Sequence, residues 1–121
     1  MTWKFDNKQP IYTQLVSGLR LRIITGVYKP GDKLPSVRDL AQEASVNPNT
    51  MQRALAELEN LGLVYTQRTA GRYITEDEQL ISDARREIAV RIISEFIQKM
   101  KALGLNEKEI RELMEEENHD R

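Results

Sequence analysis

The sequence predicts a mainly α-helical chain that carries one small β-ribbon. Three observations predict it. Apolar residues recur every three to four positions over most of the 121 residues. In KLPSVRDLAQEASVNPNTMQRALAELENLGL (33–63), two helical patterns stand with almost nothing between them. The stretch that follows, LVYTQRTAGRYIT, is rich in Val, Tyr, Thr and Ile, which favour extended chain.

In PIYTQLVSGLRLRIITG, Ile11, Leu15, Leu19, Ile23 and Ile24 form an apolar stripe, which predicts an amphipathic helix. Pro10 can begin it and Gly26 can end it. Upstream, Trp3 and Phe5 alternate with polar residues and predict a short extended arm against the domain. VYKPGDKLP reads as a connection whose Pro30-Gly31 suits the centre of a type II turn.

Ser36 is then a good N-cap, with Asp39 in the first turn near the positive end of the helix dipole. The helix it opens runs from Val37 to about Ala44 and is expected to bury Val37, Leu40 and Ala41. Asn47 caps the next helix, Pro48 takes its first position, and Gly62 fits the left-handed residue after its end near Leu61. Met51, Ala54, Leu55, Leu58 and Leu61 make the apolar stripe of that helix. Asn49, Gln52, Arg53 and Ala56 share a different, mostly uncharged polar face.

Two strands, about 63–67 and 72–75, follow, joined by a turn holding Gly71. From Asp77 a long helix sets Ala84, Ile88, Ile92, Phe96 and Met100 on one ridge and Ala89, Ile93 and Ile97 on the next. Leu103-Gly104-Leu105 ends it. Asn106 caps a last helix, 107–116, expected to turn Ile110, Leu113 and Met114 inside, ahead of a tail, EEENHDR, expected to fray.

Composition excludes several functions. The chain has no cysteine, so it has neither disulfides nor cysteine-ligated metal. Its one histidine, His119, lies in the tail, and no glycine-rich phosphate loop or paired catalytic carboxylates can be found. No enzyme activity, metal or cofactor is expected. The start, MTWKFDNKQPIY, lacks the pattern of a signal peptide, and no apolar stretch approaches a membrane span, so the cytoplasm is the expected location. The net charge of −1 hides an asymmetry. Residues 1–75 hold ten basic and six acidic side chains; residues 76–121 hold eight and thirteen. A basic half hints at a nucleic-acid partner.

Helix, short turn, helix and ribbon, in that order, make a winged helix-turn-helix. In such a fold the first helix of the pair crosses the DNA backbone and the second enters the major groove by its N-terminal turns. Residues there must be short and polar: asparagine and glutamine match adenine's donor–acceptor pair, arginine the two acceptors of guanine. PIYTQL, GVYKPGDKLPSVRDLA and VNPNTMQRALAELENLGL, with the glycine-containing ribbon, resemble the DNA-binding domain of GntR-family transcription regulators. VNPNT with the AL.ELE..GL run is particularly similar to the YtrA-like subfamily.

The resemblance covers about residues 10–75 and implies a homodimeric repressor that binds double-stranded DNA, often in control of its own transporter operon. It implies DNA contacts from Ser36 and Arg38, from Asn47, Asn49, Thr50 and Gln52, and from Arg68, Gly71 and Arg72 in the wing. Arg53 joins that set, although locally it could pair with Glu57, as Arg38 could with Asp39 or Glu43. The chain departs from the family pattern at Pro48 and Gln52, where many members carry arginine, and in a wing with a single glycine.

The division expected is a DNA-binding domain over 1–75 and a helical dimerisation region over 76–121. A helix of about 25 residues is roughly 38 Å long. Its two apolar ridges are too wide for one small neighbour, and left bare they would invite aggregation. Ile88, Ile92, Ile93, Phe96, Ile97 and Met100 are therefore the expected dimer contacts, with the last helix folded back on the long one or on its mate. A winged-helix module for protein or RNA is the alternative reading. Nothing in the sequence marks an effector site.

Overall fold

The computed structural model describes residues 3–119. Five helices and one two-stranded antiparallel sheet follow in the order α1 (Ile11–Ile24), α2 (Val37–Ala44), α3 (Pro48–Asn60), β1 (Val64–Gln67), β2 (Gly71–Ile74), α4 (Glu78–Ala102) and α5 (Glu107–His119). This is a winged helix-turn-helix arrangement followed by C-terminal helices. The chain forms two compact units, Met1–Ala84 and Arg85–Arg121, whose boundary falls inside α4.

In the first unit, α1, α2 and α3 enclose a core built on Leu15, Leu19, Leu40, Met51, Leu55 and Leu58. Leu63 and Ile74 close it from the ribbon, and Ile81 and Ala84 of the first turns of α4 are buried as well. The apolar spacing read from the sequence accounts for this core with three departures. Ile11 and Leu61, at the ends of their stripes, are exposed, and Val37 is only half-buried. A terminal turn projects beyond the neighbouring helix, so its stripe residue finds no cover.

Local chemistry sets the element ends. Ser36 Oγ accepts from Asp39 N at 3.1 Å, and Asn47 Oδ1 accepts from Asn49 N at 2.8 Å. Asp77, one residue before α4, accepts from Leu80 N. Asn106 and Glu109 exchange reciprocal bonds in a capping box at the start of α5. Lys29–Asp32 is the expected turn, with Gly31 at φ +82°. The arm also forms: Trp3 stacks on Phe5 with ring centroids 5.7 Å apart, and Gln14 bonds Asp6 through both its amide oxygen and its amide nitrogen.

Three expectations require correction. The segment after the turn is more than a connection. Leu34 N donates to Arg72 O and Ile74 N to Asp32 O, so residues 32–34 line the free edge of β2. Gly71 does not lie in the ribbon's turn; it opens β2 opposite Gln67, and the turn is 68–70. The last helix does not stop near 116. It runs to His119, because the run Glu115, Glu116 and Glu117 consists of good helix formers; Asp120 and Arg121 of the tail lie outside the described residues.

In the second unit α5 packs back on α4 of the same chain. Ile110 is its buried anchor, beside Ile93, Phe96 and Ile97. Gly104, at φ +93°, makes the reversal between the two helices.

Candidate nucleic-acid interface

The polar face of α3 is the product of its apolar one. Met51, Ala54, Leu55 and Leu58 are all turned into the core and buried. At 100° per residue the helix must then present Asn49, Gln52, Arg53 and Ala56 outward, and all four are exposed. Asn47 and Pro48, ahead of them, are exposed too, and Thr50 is half-buried between the two faces. Pro48 brings no N–H, and Asn47 occupies the N–H of Asn49, so the helix start is ordered without help from a partner.

The connection from α2 is only three residues. It is short because Ser45 adopts φ +56°, the one non-glycine residue at positive φ among the described residues, and ends α2 abruptly. That tight turn brings the start of α3 close behind the end of α2.

Arg53 does not use Glu57 as its neighbour. Its guanidinium lies over the ring of Tyr12, 4.2 Å from the centroid. Arg38, on α2, is exposed, and Glu43 is engaged elsewhere: it pairs with Arg22 at 2.8 Å. Arg22 is the one buried charged residue among the described residues, at 4% exposure. It also donates to the Tyr28 hydroxyl and stacks under Trp3, with its carbon 4.5 Å from the ring centroid. Burial opposes its charge, but the bonds to Glu43 and Tyr28 outweigh that and hold its pKa above the usual arginine value. Arg22 thus ties α1 and the arm to α2. The signal was present in the sequence: position 22 is three beyond Leu19 and seven beyond Leu15, on the buried stripe.

In the wing, Arg68 is exposed in the 68–70 turn. Arg72 is not free. Its Nε donates to Glu59 Oε1 at 2.9 Å, and Thr66 Oγ1 donates to the same carboxylate oxygen. Glu59, near the end of α3, therefore fastens both strands to that helix, a role the sequence reading missed for all three residues. Tyr65 and Tyr73, paired across the strands, stack at 5.8 Å. Gly71 has φ +99°, and a Cβ there would touch the Lys33 side chain at 3.4 Å.

Between the wing and the start of α2 lies a cleft of about 560 Å³, lined among others by Lys33, Ser36, Thr69, Gly71 and Arg72. It brings Ser36 together with Gly71 and Arg72, while Arg38 and Arg68 do not line it. Asn47, the cap of α3, and Asn49, Thr50 and Gln52 of its first turns do not line it either. Among the described residues no cluster of three or more His, Asp or Glu could hold a metal ion, and no helix is long and apolar enough to cross a membrane.

In the second unit, Ile92, Ile93 and Phe96 are exposed, Ile92 by 60%, while Ile88, Ile97 and Met100 are half-buried. Val90 and Leu103 add further bare apolar surface, and so do Leu113 and Met114: of the three residues expected on the inner side of the last helix only Ile110 is buried.

Comparison with known proteins agrees with this architecture. Residues 11–74 match the model of bacterial regulatory proteins of the gntR family. The chain is 38% identical over 109 residues to the Bacillus subtilis protein named "Uncharacterized HTH-type transcriptional regulator YhcF", covering 90% of each. It is 47% identical over 68 residues to the HTH-type transcriptional repressor YtrA of the same organism, covering 56% of this chain and 52% of that one. A solved GntR family transcriptional regulator from Listeria monocytogenes superposes with a TM-score of 0.85 at 44% identity, over 93% of this chain and 98% of the other. With α1, α2, α3 and the ribbon all falling inside the matched segment, the chain belongs to the GntR family of DNA-binding transcription regulators.

Proposed function

We propose that this chain is a homodimeric repressor that reads a palindromic operator and controls its own operon. Asn47, Asn49, Thr50, Gln52 and Arg53 contact base edges and adjacent phosphates in the major groove. Ser36 and Arg38 hold the DNA backbone, and the wing adds Arg68, with Gly71 permitting close approach of its strand. Arg72, paired with Glu59, serves this site by bracing the wing.

The observation that carries the reading is the outward polar face of α3. Four neighbouring helix positions are exposed, and two of them are amides suited to adenine. The bare ridge of α4 supports the dimer. Ile88, Ile92, Ile93, Phe96, Ile97 and Met100 lie on a surface that a second copy would cover, and two winged domains sum the few contacts each can make. The similarity to a protein named as a repressor supports the sign of regulation.

The test is footprinting on the DNA upstream of the gene. Two protected half-sites about one helical turn apart are expected, with binding that weakens steeply as salt rises. Gln52→Ala should relax base preference at one position per half-site, by about 1–3 kcal/mol. Absence of any salt-sensitive protected site would overturn the proposal and favour a module for protein or RNA. An unchanged preference in the variant would remove Gln52 from the reading set.

A further inference from the structure

Arg53 is the one cation on the exposed face of α3, and its guanidinium rests on an aromatic ring from a different helix. That ring belongs to Tyr12, in the first turn of α1, half-buried and held in place by the helix that carries Leu15 and Leu19 into the core. We propose that Tyr12 is a positioning residue for DNA recognition: its ring is a shelf that aims Arg53 at the DNA. The inference rests on the DNA-binding reading above.

The physical case starts from flexibility. An exposed arginine on a helix samples many rotamers, and docking it on DNA costs the entropy of choosing one. A planar guanidinium at 4.2 Å from a ring centroid is attracted to the ring's negative face, and the attraction strengthens as water is excluded. Stacking leaves the guanidinium's in-plane N–H donors free, so the same group can still bond a guanine edge or a phosphate. Arg53 lies one turn from Asn49 and next to Gln52, within the patch that would meet bases. A residue outside the helix-turn-helix pair would thus help set which operator is bound.

The expected loss on removing the ring is about threefold to thirtyfold in operator affinity, the range for a cation–ring contact from exposed to desolvated. The experiment uses the full chain and the operator segment found by footprinting. Tyr12→Phe keeps the ring and should bind within about twofold of the parent; Tyr12→Leu should show the loss. In an Arg53→Ala background, Tyr12→Leu should cost nothing further, since the shelf then has nothing to carry. An equal loss in both backgrounds would overturn the proposal, because the ring would be acting on the DNA or the fold by itself.

A second readout needs no DNA. The Arg53 side-chain N–H resonance should be shifted by the ring current in the parent and in Tyr12→Phe, and should return to the ordinary arginine position in Tyr12→Leu. An unshifted resonance in the parent would overturn the shelf even if operator binding holds. A shifted resonance without any operator binding would place the failure in the DNA-binding reading. Tyr12→Met replaces Tyr12→Leu should the latter fail to fold.

Discussion

Gly18 sits in the middle of α1, where alanine is ordinarily the better residue by about 1 kcal/mol. Here the same substitution should destabilise. A Cβ on Gly18 would lie 2.4 Å from the outer ring of Trp3, closer than any carbon pair tolerates. Trp3 cannot slide aside, because Phe5 is stacked on it at 5.7 Å and the Arg22 guanidinium lies 4.5 Å from its ring centroid. The ring must leave.

Half-burial of a tryptophan removes about 100 Å² of apolar surface from water, worth about 2.5 kcal/mol, and the cation–ring contact adds about 0.5–1 kcal/mol. Against the helix gain of about 1 kcal/mol, the net loss is about 2 kcal/mol. For a unit of this size that is a fall in Tm of roughly 10 °C.

Trp3 is the only tryptophan in the chain, so its fluorescence reports the event directly. Gly18→Ala should shift its emission to the red and lower Tm together. The sign should reverse in a Trp3→Ala background, where Gly18→Ala should stabilise by about 1 kcal/mol. A higher Tm with unchanged emission in the parent background would refute the packing described for the arm.

Three other outcomes are expected. Glu43→Ala leaves Arg22 buried without its carboxylate; because Glu43 is 43% exposed, the cost should be about 1–2 kcal/mol and not the full value of a buried pair, read by denaturant melts. Equal stability would mean that the Tyr28 hydroxyl and the aromatic rings suffice. Glu59→Ala removes the shared acceptor of Thr66 and Arg72, and amide exchange across Val64–Ile74 should quicken while that of α1 does not; uniform protection would show that strand pairing alone holds the wing. Ile92→Asp puts a charge at the centre of the bare α4 ridge and should yield monomers by light scattering; a persistent dimer would move the contact to another face.

Much of the local architecture was legible in the sequence, because caps and turns are made by neighbours. Ser36, Asn47 and Asn106 cap the helices they precede, and Gly31 and Gly104 take the positive φ their turns require. Even the outward face of α3 followed from its apolar spacing alone. The wing was harder. Thr66 had no reading beyond an exposed strand position, and Gly71 was expected in a turn that in fact ends one residue earlier. Hairpin register depends on which residues pair across the strands, and that is a property of two segments at once.

The sequence by itself thus determined where the helices of the first unit begin and end, the central part of the faces they bury, and the order that marks a winged helix. It did so because backbone hydrogen bonds near a cap or turn are satisfied within a few residues. Only the tertiary structure decided partnership. Arg53 had Glu57 within reach along its own helix, yet lies on Tyr12. Arg38 had Glu43 close by, yet Glu43 went to Arg22. Arg72 turned from solvent to Glu59, and residues 32–34 became a third run of chain beside the ribbon. A long cationic side chain has several acids and rings at comparable cost along the sequence. The crossing of the helices selects among them, by bringing one partner within hydrogen-bond or stacking distance and carrying the others away.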